Sequence, residues 1–228
     1  MGLKYSQNRI SYAVGNNLIM KKAKNNTLYK GESSKNMAAY QAKYHDSSYI
    51  ARYANSRFFQ TIEMFVGSIS PNKILDIGCG EGKVLERLRA YHPGPSTGID
   101  LDPARIYLAK SQSGDIPFAI GNAQELPYED NSFDFVMMLE VLEHVGEPDI
   151  VLREALRITS KYLLASVPNE PWWRIGNLAR LKYIRDLGNT PEHINHWSVR
   201  SFKTFISKYF KIVKVETPVL WTFVLAEK

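Results

Sequence analysis

Cysteine is nearly absent: Cys79 is the single one in 228 residues. That excludes an intrachain disulfide framework and a thiolate-rich zinc site, and makes a reducing cytoplasm the expected setting. Long apolar runs are missing too. No stretch approaches the roughly 18 residues of a spanning helix, and Asn8, Arg9, Asn16 and Asn17 interrupt any apolar core of a secretory signal. An integral membrane segment is therefore not expected. No internal repeat is visible. Concentrated charge is also lacking outside one place. The formal charge is +6, and residues 1–36 carry all of it, with Lys4, Arg9, Lys21, Lys22, Lys24, Lys30 and Lys35 against Glu32. Residues 37–228 are net neutral, so the basic character belongs to an N-terminal arm. Its charges are scattered among Asn and Ser, which favours a flexible tail over a nucleic-acid or membrane-surface arm.

What the chain does have is a short apolar strand running into glycines, Ile74-Leu75-Asp76-Ile77-Gly78-Cys79-Gly80-Glu81-Gly82-Lys83. Val84, Leu85 and Leu88 then repeat at helical spacing, so the glycines occupy a strand-to-helix turn. Such a turn lets backbone approach a ligand closely, and the following helix offers unpaired N–H groups.

Strands are expected near 73–77, 96–100, 116–120, 133–138 and 162–167, with helices near 82–91, 103–112 and 148–159. This alternation calls for an α/β fold with a mostly parallel sheet, helices on both faces and a ligand at the strand C-terminal ends. Asp102-Pro103 and Glu147-Pro148 mark two helix starts. The runs Phe210–Val215 and Val219–Leu225, bent at Pro218, read as an antiparallel addition to the sheet edge. A helical region rich in aromatics is expected from Ala38 to Ser68.

Asp100 ends the second expected strand in Thr97-Gly98-Ile99-Asp100-Leu101-Asp102, where a carboxylate can accept both hydroxyls of a ribose. The glycine pattern G-x-G-x-G departs from the dinucleotide fingerprint G-x-G-x-x-G, which favours a nucleoside cofactor without a pyrophosphate.

From about 72 to 167 the chain resembles the class I S-adenosylmethionine-dependent methyltransferases. The L-D-I-G-C-G-E-G run is similar to their first motif, Asp100 to their ribose acid, Gly121-Asn122-Ala123-Gln124-Glu125-Leu126-Pro127 to their G-D-A-x-x-L-P loop, and Asp130-Asn131-Ser132-Phe133-Asp134-Phe135-Val136 to their approach to the fourth strand. The resemblance implies a Rossmann-like, seven-stranded sheet with an antiparallel C-terminal strand. It also implies a cofactor site built from Asp76, Gly78, Cys79, Gly80, Gly82, Asp100, Leu101, Asn122, Ala123 and Leu139. Asp76 would hold the methionine amino group and Asn122 the adenine amino group, where the family usually has Asp.

On the acceptor side stands Glu140-Val141-Leu142-Glu143-His144, an E-x-x-E-H run similar to those of ubiquinone-pathway O-methyltransferases and small-RNA 2′-O-methyltransferases. His193, in Glu192-His193-Ile194-Asn195-His196-Trp197, maps onto the histidine that completes a divalent-metal site in the RNA enzymes. Glu140, His144 and His193 are thus the candidate catalytic residues, and Glu140, Glu143, His144 and His193 the candidate metal ligands. Two carboxylates and two imidazoles suit Mg²⁺ or Mn²⁺ by charge and Zn²⁺ or Fe²⁺ by ligand type. The alternative is metal-free, with His144 as a base.

Between these segments, residues 168–197 form an expected lid insertion in a domain spanning 37–228. Trp172, Trp173 and Arg174 open its helix. The expected activity is methyl transfer to a small-molecule acceptor, at an oxygen. Its rivals are a metal-dependent RNA 2′-O-methyltransferase, for which the neutral body offers little backbone recognition, and a non-catalytic adenosylmethionine-binding subunit.

Overall fold

In a computed structural model, the structure describes residues 49–179, 183–190 and 192–228. The expected basic arm, residues 1–36, and the start of the aromatic helical region lie outside the described residues.

Helix α1, Tyr49–Ile69, precedes β1, Ile74–Ile77. The chain continues through α2, Lys83–Leu88, β2, Ser96–Asp100, α3, Pro103–Gln112, and β3, Phe118–Ile120. Next come β4, Phe133–Leu139, a 3₁₀ turn at Leu142–His144, α4, Pro148–Ile158, and β5, Thr159–Pro168. Helix α5, Trp172–Ala179, is followed by α6, Val199–Ile206, β6, Lys211–Glu216, and β7, Trp221–Glu227.

The seven strands lie in the order β3-β2-β1-β4-β5-β7-β6. Pairings from β3 through β5 are parallel. β7 runs antiparallel to both β5 and β6. The C-terminal hairpin therefore joins the sheet through its last strand, and β6 forms the edge. β7 is almost wholly buried, whereas β6, with Lys211 and Lys214, is half exposed. Placing the charged strand outermost protects the edge from further pairing.

Side-chain alternation on the strands sorts the core into two layers. Leu75, Ile77, Val136, Met138, Leu163 and Ala165 point to one face, where they meet Val151, Leu152 and Ala155 of α4 and Phe202 and Ile206 of α6. Ile74, Phe135, Met137, Leu164 and Leu225 point to the other, against Ile62, Phe65 and Val66 of α1, Leu85 and Leu88 of α2, and Ile106 and Ala109 of α3. With both faces covered, β1 and β4 must be apolar almost throughout. Each fully buried Leu, Ile or Phe adds about 1.5–3 kcal/mol.

Several element ends differ from expectation for local reasons. α2 stops at Leu88 because the N–H groups of Ala90 and Tyr91 fold back onto the carbonyls of Arg87 and Leu88. β5 begins at Thr159, immediately after α4, and the Thr159 hydroxyl donates to the Ala155 carbonyl at 2.6 Å. Asp102 does cap α3, accepting from the Ala104 N–H at 2.8 Å, while Glu147 gives α4 no side-chain cap.

β1 is the pivot. The chain proceeds outward from it in one direction through β2 and β3, and in the other through β4 and β5, so a crevice opens at the carboxyl ends of β1 and β4.

Candidate active site

The glycine turn leaves β1 with Gly78, Gly80 and Gly82 all at positive φ, at 72°, 54° and 77°. Two of them are packed closely. A Cβ on Gly78 would lie 2.4 Å from Val141 Cγ2, and one on Gly82 would lie 2.6 Å from the Phe118 ring. Gly80 is different: a Cβ there would meet nothing within 4 Å. Its backbone faces the open crevice, a cradle that a side chain would fill.

Asp100 fastens the turn. Its carboxylate accepts from the Gly80 N–H at 2.8 Å and the Asp102 N–H at 2.9 Å, and the Gly78 and Cys79 N–H groups donate to the Ile99 carbonyl. These bonds fix the acid at the end of β2 with lone pairs remaining for a ribose. Asp76, in β1, is 2% exposed. Burial, and then the nearby Asp100 charge, push its carboxyl up to about 8. A cationic group arriving beside it would restore the ionised form. Burial and the same two acids push the Cys79 thiol far up, so it remains protonated and is no nucleophile.

The remaining expected cofactor residues sit in varied settings. Leu139, the last residue of β4, and Cys79 are buried, while Leu101 is 69% exposed. Asn122 is exposed and Ala123 half-buried. The Asn122 side-chain oxygen accepts from the Gln124 N–H at 3.0 Å, closing the loop after β3. Arg157 holds that loop's continuation, with its guanidinium donating to the carbonyls of Leu126 and Tyr128 and to Asp130 and Glu154. Asp134 binds the N–H groups of Asn72 and Lys73, which ties β4 to the start of β1 and leaves it no part in the crevice.

On the acceptor side, Glu143, His144 and His193 come together, one ligand atom from each lying within 4.8 Å of the others. Glu143 is 1% and His193 7% exposed, whereas His144 faces solvent. The two imidazole rings meet edge to face at 4.9 Å. The His144 Nδ1 lies 3.0 Å from the Glu192 carbonyl. A carbonyl only accepts, so Nδ1 carries the proton of the neutral ring and the basic lone pair falls on Nε2.

Glu140, the fourth member of the expected set, is not among the three residues whose ligand atoms lie within 4.8 Å of one another. A helix beginning at residue 140 would stack Glu140 over Glu143 and His144. The backbone instead enters a left-handed conformation at Glu140, φ 59°, with its N–H bonded to the Ser166 carbonyl, and turns helically only from Leu142.

His193 reaches the cluster because its own segment clamps the 3₁₀ turn. The N–H groups of Ile194 and Asn195 donate to the Glu143 carbonyl, and the Asn195 amide donates to the Leu142 and Val145 carbonyls at 3.0 and 2.7 Å. Sequence reading passes over Asn195; its proximity to His193 was the only signal. Trp173 of α5 stacks on His193 at 5.8 Å, and its indole N–H donates to Thr190. His196 instead pairs with Glu170 at 3.7 Å, away from the trio.

Fold, glycine cradle and flanking acids together define a nucleoside-binding α/β domain of methyltransferase topology. Residues 75–162 match the family model described as a methyltransferase domain. The chain is 33% identical over 99 residues to norajmaline N-methyltransferase of Rauvolfia serpentina, covering 41% of this chain and 34% of that one. It is 32% identical over 111 residues to the O-methyltransferase rstn1 of Aspergillus nomiae, covering 46% and 49%. Each match thus spans half or less of the relative's length. Among solved structures, magnesium protoporphyrin IX methyltransferase of Synechocystis with bound SAH superposes with a TM-score of 0.66 at 16% identity, over 86% of this chain and 95% of that one. Residues 75–162 thus match a methyltransferase domain, and the chain shares the fold of the solved methyltransferase with bound SAH.

Proposed function

We propose that this protein transfers a methyl group from S-adenosylmethionine to an oxygen of a small-molecule acceptor. The observation that carries the reading is the placement of Glu143, His144 and His193 beside the glycine turn, with Val141 of the same run in contact range of Gly78. The cradle at Gly80 and the acids at Asp76 and Asp100 fit the cofactor. Gly78, Gly80 and Gly82 admit it, Asp100 takes the ribose hydroxyls, Asp76 the amino group, and Asn122, Ala123, Leu101, Leu139 and Cys79 border the adenine and ribose. Bound adenosylmethionine supplies the methyl group from a sulfonium, which needs no acid to leave.

The acceptor hydroxyl is the group that needs help, and His144 Nε2 takes its proton. Glu143, buried beside both rings, stabilises the imidazolium that results, and His193, held by Trp173 and Asn195, fixes the arrangement. A second reading rests on the same cluster. One carboxylate and two imidazoles are ligands for a divalent cation, and Glu143, His144 and His193 would hold one that lowers the acceptor's pKa directly. An RNA acceptor would follow the same chemistry.

Transfer of labelled methyl from adenosylmethionine to a panel of phenols, alcohols, amines and RNA tests the proposal. Product formed at oxygen in small molecules is expected. Transfer to nitrogen alone or to RNA alone would refute the acceptor class, and failure of adenosylmethionine to bind would refute the reading as a whole. Chelation separates the two forms of catalysis: activity lost and restored by Mg²⁺, Mn²⁺ or Zn²⁺ selects the cation, and unchanged activity selects His144 as base.

A further inference from the structure

Helix α5 is amphipathic in the wrong sense for a helix that merely covers the domain. Trp173, Gly176 and Asn177 form its inner face: Trp173 packs on His193 and Trp221, Gly176 approaches Leu220, and the buried Asn177 amide donates to the Gly188 carbonyl at 2.9 Å. Helical periodicity puts Trp172, Ile175 and Leu178 on the opposite side. That outer stripe should be polar, yet these residues are 58%, 50% and 36% exposed. Beyond the helix, Tyr183, Ile184 and Leu187 are also exposed, at 42%, 55% and 71%. A monomer rarely leaves so many large apolar side chains together in water.

The charge of the same segment says what covers them. Residues 170–187 contain Arg174, Arg180, Lys182 and Arg185 against Glu170 and Asp186, a net charge of 4 − 2 = +2, although residues 37–228 as a whole are net neutral. A short segment combining exposed Trp, Ile, Leu and Tyr with basic residues has the composition of an interfacial element that lies in a headgroup layer. The eight residues of α5 are far too few to span a bilayer, and among the described residues no helix is long and apolar enough to do so.

We propose that the outer face of the lid, Trp172, Ile175, Leu178, Ile184 and Leu187, docks on an anionic lipid surface. The apolar residues enter the interface, and the net positive charge of the segment favours anionic headgroups. Because the inner face of the same helix carries Trp173 against His193, docking places the acceptor side of the domain within one helix diameter of the lipid. The inference goes beyond the methyl-transfer reading and stands if that reading fails.

The test is co-sedimentation of the full-length chain with phosphatidylcholine vesicles and with mixed phosphatidylcholine/phosphatidylglycerol vesicles, read together with tryptophan quenching by brominated lipid. Binding to the mixed vesicles, with quenching, is expected. The triple variant Trp172→Ser/Ile175→Ser/Leu178→Ser keeps every charge, including those of residues 1–36, and should bind them about tenfold or more weaker. Its melting temperature should move by less than about 2 °C, since the three side chains are exposed. Unchanged vesicle binding by this variant would assign the interaction to the basic arm and overturn the proposal. So would absence of vesicle binding, or a wild-type dimer that the variant dissociates, which would make a second copy of the chain the occupant.

Discussion

The two sides of the crevice are assembled in different ways. The donor side takes its parts from one short run and the next strand end: Asp76, the three glycines and Asp100 lie within 25 residues and are joined by backbone bonds such as Gly80 N–H to Asp100. The acceptor side is assembled from remote pieces. His193 meets Glu143 and His144 across about fifty residues, through Asn195 and the stacked Trp173. A site made from a local turn tolerates little change in backbone. One made from separate segments can change one of them while the glycine turn is kept.

The largest expected effect falls on the acceptor side. His144→Ala should reduce turnover by about 10²–10⁴-fold, the usual contribution of a positioned base, while adenosylmethionine affinity measured by calorimetry remains nearly unchanged. Loss of both together would show that the two sides are not separable. Where they touch, Gly78→Ala forces a side chain onto a positive φ and into Val141, and should cost about 2–4 kcal/mol in urea unfolding. Adding Val141→Ala should return part of that loss; no return would place the whole penalty in the backbone.

On the donor side, Asp100→Asn keeps the shape but removes the charged acceptor, so adenosylmethionine should bind weaker by about 1.5–3 kcal/mol. A further effect is protonic. The Asp76 carboxyl is held up to about 8 by burial and by Asp100, so between its ordinary acid range and that value the folded chain keeps a proton that the unfolded chain has released. Stability of the ligand-free protein should therefore fall as pH rises through that window and level off above it. Binding a cationic amino group beside Asp76 should release up to one proton near neutral pH, visible as a buffer-dependent calorimetric enthalpy. Asp76→Asn should abolish both signals, and their persistence would move the titration to another group.

The sequence by itself determined the fold and the donor side. Period-two strands and period-3.6 helices follow from local pattern, a G-x-G-x-G turn forces its own backbone, and an acid ending the next parallel strand has only one crevice to face. It also supplied the chemistry of Glu143, His144 and His193 as residue types. Only the tertiary structure decided which of them meet. Glu143, His144 and His193 gather through the bonds of Ile194 and Asn195 to the 3₁₀ turn, contacts that reach across about fifty residues and that no local pattern announces. The same is true of β7 entering the sheet ahead of β6, and of α5, where Trp173 packs on Trp221 and Gly176 approaches Leu220 while Trp172 and Ile175 are 58% and 50% exposed. Periodicity fixes that a helix has two faces; long-range contacts decide which one the domain keeps.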